Sequence, residues 1–543
     1  MTIEEKILTF IDDMDYLNNE HILGILFYGS FLTGFNTDKS DIDLHIIFDD
    51  SDPTHLIRGN KIIDKTRIEY FEKPLGDILL TIEEDYENQN NASVSIFGKS
   101  KIIYEKDKKI TNLQNYVLNK FKEPLPPLSE NDAKEQASII NNRMEKLEKY
   151  AYEEDPYFEH LYHLTIDKVR RFYHSVMGIP RIETSKGFRL YQDEAYRNSF
   201  SIDKIPEPYF IEMYFDAITN SDLNNIEKFQ LISGIYEYAK RNVKLNNEEH
   251  RIPIKSRNIG FDVPIIEPCS IKEKNSILIP LDVLKKISKF INEMNYLNDK
   301  HCLGTIVYGS SLTGFNTATS DIDLHVIFDN EDLNHLIRGT KLVDGTKIEY
   351  FEKPLQDVYL SIENGYQNQN NAFFSMIGNG TIVFERNNEL SKLQQYALDR
   401  FEEKMPPLSD EETKEQVSII NNRMEKLEKS ACEDSPYFDH LYHLTIDKIR
   451  KFYHKATGIP KIQTSKVYRI YTDSEYRESM YKENPDPEFV SMYLDLITTT
   501  SKDKLEKLEK VKDFYNYSTR NINLGDEYRI LIKSRNIQNK SNN

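Results

Sequence analysis

The chain has 543 residues, 39% apolar and 29% charged, with 34 Tyr and 28 Phe as bulky core material; this composition excludes collagen-like, low-complexity and wholly disordered classes. Its formal charge of −19, from 70 Lys+Arg against 89 Asp+Glu, disfavours broad sequence-independent nucleic-acid binding and leaves room for local basic pockets. No run approaches a membrane span, and MTIEEKILTF carries acids where a secretion signal needs cations, so a cytoplasmic chain with no membrane partner is expected.

The chain is one unit written twice. Residues 21–49 and 301–329 are identical at 21 of 29 positions. SIINNRMEKLEK recurs at 138–149 and 418–429, HLYHLTIDK at 160–168 and 440–448, and RIPIKSRNI (251–259) returns as RILIKSRNI (529–537). A period near 280 is a tandem duplication, far longer than the repeats of a solenoid. Within each copy, a proline break (EPLPPLSE, MPPLSD) separates short β-rich runs from long helical patterns. The expected plan is an α/β domain followed by an α-helical domain, the pair repeated: residues 1–125, 126–260, a linker at 261–283, then 284–405 and 406–543. Ser129 and Ser409, each followed by acids, suit helix N-caps. Cys269, Cys302 and Cys432 show no metal-ligand spacing, and Cys302 and Cys432 meet Ile22 and Tyr152 in the first copy.

In chain order, GILFYG (24–29) reads as a buried strand, SFLTG as one helical turn ending at Gly34, and DIDLHIIF (41–48) as a second strand. Ile42, Leu44 and Ile46 share one face; Asp41, Asp43 and His45 share the other. Two aspartates side by side on a strand repel, and a divalent cation offsets that; oxygen ligands without cysteine favour Mg²⁺. The turn at Gly29-Ser30 suits phosphate. NKIIDKTRIEYFEKP (60–74) reads as a hairpin, with Asp344-Gly345 at the turn of the second copy. Its second strand offers a third carboxylate: Glu69, on the face of Phe71, is preferred to Glu72, on the face of Ile68 and Tyr70. His45 reads as a hydrogen-bonded core histidine ahead of a site residue, and His160 and His163 as a core helix ahead of a metal site. The basic segment 166–191 (Lys168, Arg170, Arg171, Arg181, Lys186, Arg189) reads equally as a phosphate clamp or a solvated face. Arg170 and His174 stand too close together for a ribonuclease-type pair.

Gly-Ser, ten residues, Asp-x-Asp, then a carboxylate on a later strand resembles the DNA polymerase β-like nucleotidyltransferase superfamily, in the spacing of its bacterial minimal and antibiotic-modifying members. The motifs are YGS (28–30), SDIDL (40–44) and RIEYF (67–71), then YGS (308–310), SDIDL (320–324) and KIEYF (347–351). The resemblance implies a two-Mg²⁺ nucleotidyl transfer. Asp41 and Asp43 would hold the metals. Glu69 would hold the acceptor-side metal or act as base, Gly29 and Ser30 would grip the phosphates, and Lys186 is the lysine chosen to reach the triphosphate. Asp321, Asp323, Glu349, Gly309, Ser310 and Lys466 take the same roles in the second copy. The donor is an NTP, ATP by preference. The expected acceptor is a small hydroxylated molecule such as an aminoglycoside or lincosamide, with tRNA or protein, or nucleotide binding without turnover, as alternatives. Relatives that modify antibiotics place the site between domains or across a homodimer, so the fused copies are expected to act as an intramolecular pseudo-dimer in a monomer.

Overall fold

A computed structural model describes residues 1–37, 40–51, 56–246, 249–256, 279–309, 312, 321–331, 336–480 and 485–532. The alternating runs of the first copy form β1 (Ile22–Tyr28), β2 (Ile42–Phe48), β3 (Ile57–Ile63), β4 (Thr66–Pro74) and β5 (Lys101–Glu105). β1 and β3 run antiparallel to their neighbours β2 and β4, while β2 and β4 pair in parallel. The β3–β4 hairpin turns on Asp64-Lys65, both at positive φ, as do Asp344-Gly345, the backbone a two-residue hairpin needs. β2 alternates as read: Ile42, Leu44 and Ile46 are fully buried against Ile7 and Phe10 of the first helix, Ile3–Asp13.

The second copy repeats this unit, preceded in the chain by β6 (His250–Pro253), with β7 (Cys302–Tyr308), β8 (Ile322–Phe328), β9 (Ile337–Val343), β10 (Thr346–Pro354) and β11 (Thr381–Glu385). Near the end of the described chain comes β12 (Tyr528–Leu531). The two end strands are exchanged. β12, from the second copy, pairs with β3; β6, from the first, pairs with β9. The sheets therefore run β12-β3-β4-β2-β1-β5 and β11-β7-β8-β10-β9-β6. Each exchanged strand brings an arginine to a fully buried glutamate: Arg529 to Glu72 at 2.8 Å and Arg251 to Glu352 at 2.6 Å. Tyr16 and Tyr296 donate to the same carboxylates.

After the prolines come long helices, Glu130–Tyr152 and Phe158–Met177, repeated as Asp410–Cys432 and Phe438–Thr457. Ser129 and Ser409 cap the first of each pair through side-chain oxygens that accept from backbone N–H groups. The helical parts of both copies share one hydrophobic core. Across it the contacts are reciprocal: His160 Nδ1 meets His443 Nδ1 at 3.1 Å, and His163 Nδ1 meets His440 Nδ1 at 3.3 Å. These reciprocal pairs mark a pseudo-two-fold axis between the copies. Of the segment 261–283, residues 261–278 lie outside the described residues, as does Cys269, and Leu281 already opens the helix Leu281–Glu293. Cys302 is buried and Cys432 exposed. Among the described residues no helix is long and apolar enough to cross a membrane.

Candidate active site

Strand register brings the carboxylates together. Asp43 lies opposite Tyr28 of β1 and Glu69 of β4, and Glu69 opposite Asn60 of β3. Asp41, Asp43 and Glu69 each offer an oxygen within 4.8 Å of the others, and Asp321, Asp323 and Glu349 repeat the cluster. Glu72 faces the core and belongs to the strand clasp above. Burial, then the charges of Asp41 and Glu69, push the Asp43 carboxyl well above the usual carboxylate range; Lys186 and Arg67 oppose the shift. Asp323 is pushed the same way by burial, Asp321 and Glu349, against Lys466 and Lys146. Three clustered carboxylates with this excess of negative charge, and no sulfur donor, fit a hard divalent cation.

Gly29 stands at φ 88°, where a side chain is strained, and a Cβ there would lie 1.9 Å from Asp43 Oδ2. Gly309 repeats this against Asp323 at 2.3 Å. Only glycine lets the β1 turn lie against the aspartate. Ser30 opens the helical turn Ser30–Thr33, which ends at Gly34 in the left-handed region. Ser310 lies outside the described residues.

The basic segment divides by neighbourhood. Lys186 lies within electrostatic reach of Asp43 and Asp41, and burial depresses its pKa. Arg189 stacks over Phe35 and Tyr196. Arg170 is buried against Asp167 at 2.9 Å, and His174 is held between Pro180 O and Tyr191 Oη. Lys168 and Arg171 face the axis between the copies. His45 corrects one expectation: it is buried between Phe71, Phe97 and Tyr28, but neither ring nitrogen has a hydrogen-bond partner among the described residues. His325 repeats this. The rings stack as aromatics, and burial holds both imidazoles neutral.

Sequence reasoning missed the residues each copy lends to the other. In the second site Asn142 Nδ2 donates to Glu349 Oε1 at 3.0 Å, Glu145 pairs with Lys347 at 3.3 Å, and Lys146 feels Asp321, Asp323 and Glu349. In the first site the equivalents from the second copy arrive. Glu425 pairs with Arg67 at 2.9 Å; Arg67 in turn reaches Asp41 at 3.4 Å. Lys426 pairs with Glu183 at 2.7 Å beside Lys186. Arg58 Nε holds Glu69 at 3.0 Å. The signal was INNRMEKLEK itself, written verbatim in both copies on a helix whose Asn142 and Lys146 stand one turn apart.

A cleft of about 270 Å³ opens beside the first triad, bounded by Asp41, Asn60, Arg67 and Glu69 and by Asn422 and Tyr528 of the second copy. Polar groups dominate its walls, so it suits a ligand rich in hydroxyl or amino groups.

Two family profiles match the chain. The profile described as "Polymerase beta, Nucleotidyltransferase" matches residues 14–109, and "Nucleotidyltransferase domain" matches 284–373. No curated protein matches the sequence. A solved structure of a nucleotidyltransferase-like protein from Exiguobacterium sibiricum 255-15 is similar at 13% identity. It covers 44% of this chain and 75% of that one with a TM-score of 0.28, too distant a likeness to carry function. Fold, site and matched families define an enzyme of the nucleotidyltransferase type, polymerase β-like. In particular, the chain carries two such domains in tandem, and the family implies an NTP substrate and a divalent metal.

Proposed function

We propose that each site moves a nucleoside monophosphate, AMP from ATP by preference, to a hydroxyl of a small polyhydroxylated acceptor such as an aminoglycoside or lincosamide, releasing pyrophosphate. One observation carries this reading: each carboxylate triad is bordered by a lysine from its own helical part and a lysine and asparagine lent by the other copy. Asp41, Asp43 and Glu69, and in the second site Asp321, Asp323 and Glu349, would hold Mg²⁺, which would neutralise charge on the triphosphate. Lys186 with Lys426, and Lys466 with Lys146, meet the phosphate charge. Gly29 and Gly309 let the β1 and β7 turns lie against the aspartates, and Ser30, with Ser310 as its counterpart in the sequence, is the residue assigned to the phosphates. The acceptor oxygen bonds to the α-phosphorus as the bond to the β-phosphate oxygen breaks and pyrophosphate departs. Glu69 and Glu349 work on the acceptor side, holding the metal there or taking the hydroxyl proton. Arg58 orients Glu69, and Asn142 orients Glu349. The polar cleft beside the first triad, with carboxylates in its wall, supports a small, hydroxylated and cationic acceptor.

Pyrophosphate release from Mg-ATP is the test, with panels of aminoglycosides, lincosamides and bulk tRNA, and Asp41→Asn/Asp321→Asn as control. Release that requires a small molecule and vanishes in the control is expected. Release only with tRNA overturns the acceptor assignment, and tight nucleotide binding with no release under any condition overturns the enzyme reading.

A further inference from the structure

A second cleft lies on the pseudo-two-fold axis, and none of the six triad carboxylates lines it. It encloses about 770 Å³, inside the range of cavities that take metabolite-sized ligands. In a chain of net charge −19, its wall holds eight Arg and Lys against three Asp and Glu. Six of the cations come in equivalent pairs, one from each copy: Arg143 with Arg423, Lys168 with Lys448, and Arg171 with Lys451; the other two are Arg58, which holds Glu69, and Lys426.

Arg58, Arg171, Lys426 and Lys451 each pair with a carboxylate, and the acids of the wall are used up in doing so. Asp167 and Asp447 are each already shared with a fully buried arginine, Arg170 and Arg450, besides pairing with Arg171 and Lys451. Glu183 is engaged by Lys426. Arg143 and Arg423 have no carboxylate partner among the described residues; each donates only to a backbone oxygen, of Leu164 at 3.3 Å and Leu444 at 3.4 Å. Lys448 donates to the neutral Gln416. Burial holds Arg143, Arg423 and Lys448 below the ordinary values for their types, the direction expected of cations lacking counter-charge. Confined cations of one sign, with guanidinium forks facing a shared space, are a phosphate-recognising arrangement. Leu164, Leu444 and Ile419 add apolar wall beside them.

We infer that the axial cleft is an anion site that binds one oligophosphate, free or carried on a nucleoside, between the two copies, beside the first triad through Arg58 and Lys426 but lined by none of the six triad carboxylates. Its ligand draws charge from both helical parts at once, so binding ties the copies together. The inference rests on the cleft and its cations, not on nucleotidyl transfer.

Isothermal titration of the full chain in EDTA with inorganic tripolyphosphate, and separately with ATP, tests it. Without metal the triads repel polyphosphate. One equivalent per chain is expected, with affinity falling steeply as salt rises. Tighter binding of ATP than of tripolyphosphate assigns a nucleoside-borne ligand, and equal binding a free one. Arg143→Gln/Arg423→Gln should weaken binding about a hundredfold, since each charged hydrogen bond removed costs about a factor of ten or more. Lys168→Gln/Lys448→Gln should weaken it in the same direction, giving a second reading if the arginine variant folds poorly. Lys186→Gln/Lys466→Gln should leave the titration unchanged. Two equivalents per chain that disappear in Lys186→Gln/Lys466→Gln would overturn the inference, because the anions would then sit at the triads. So would binding indifferent to both axial pairs, or uptake of tRNA with no response to either oligophosphate. The titration involves no turnover, so its failure and a failure of the transfer reaction are separately visible.

Discussion

Lys146 provides the sharpest test of the crossed arrangement. It belongs to the first copy but lies at the triad of the second. Its counterpart Lys426 pairs with Glu183 at 2.7 Å; at the equivalent place of the second copy stands Gln463, and among the described residues Lys146 Nζ donates only to Ser465 Oγ, at 3.3 Å. Burial, with Lys466 adding to it, therefore lowers the Lys146 pKa from 10.5 to about 8, against the pull of Asp321, Asp323 and Glu349. An ammonium near 4 Å from phosphate charge gains about 4 kcal/mol at an effective dielectric near 20. Discounted for water in an open site, removing it costs about 2–3 kcal/mol, roughly a hundredfold in rate. The assay is pyrophosphate release in two backgrounds. With Asp41→Asn, only the second site turns over, and Lys146→Ala should cut its kcat/KM about a hundredfold while Lys426→Ala leaves it within a fewfold. With Asp321→Asn the two lysines should exchange effects. If Lys146→Ala instead weakened the first site, each triad would be served by its own copy and the crossed reading would be wrong.

Three further outcomes follow from the same geometry. Gly29→Ala, measured in the Asp321→Asn background, should lower turnover by a factor of about a hundred or more, because the added Cβ meets Asp43 Oδ2 at 1.9 Å; near-normal turnover would show that β1 can yield. Arg529→Ala should destabilise the chain by about 2 kcal/mol, seen as a Tm fall of a few degrees, since it strips a partner from the fully buried Glu72 while Arg529 itself is half exposed. Adding Glu72→Gln should recover part of that loss. Lys146 should react with an amine reagent with a midpoint near pH 8, followed residue by residue by mass spectrometry; a midpoint above 10 would refute its burial. The sign for stability follows: between about 8 and 10.5 the unfolded chain holds a proton that the folded chain has released, so this lysine's contribution rises with pH across that window.

Much of the site was legible because strand periodicity is strict. Once 41–48 is a strand, Asp41 and Asp43 must share a face; the same alternation sets Glu69 and Glu72 on opposite faces, and the central position of Glu69 in its strand favours it. Glycine at 29 was legible as a turn, but its contact with Asp43 depends on the pairing of Tyr28 with Asp43, which no local pattern states. The lent residues were illegible for a different reason. Asn142, Lys146 and their equivalents lie on helices whose polar face looks like solvated surface until the second copy packs against it. The exchanged strands were hidden likewise: RIPI and RILI announced a repeated end, but a strand's partner is set by tertiary contacts. The basic segment held several roles at once, because a helix turns successive residues toward different neighbours: Arg170 inward to Asp167, Lys168 and Arg171 to the axis.

The rows that cross the two sheets end differently. In the first, Glu69 is followed by Asn60 and Tyr528; in the second, Glu349 is followed by Thr340 and His250. A symmetric pair of identical subunits has no such freedom, since one gene writes both pockets and every substitution is felt twice. Joining the copies in one polypeptide breaks that bond while keeping their one-to-one ratio. Because the end strands cross over, the divergent residues Tyr528 and His250 are supplied to each sheet by the opposite half, so each half of the chain writes part of the other's pocket.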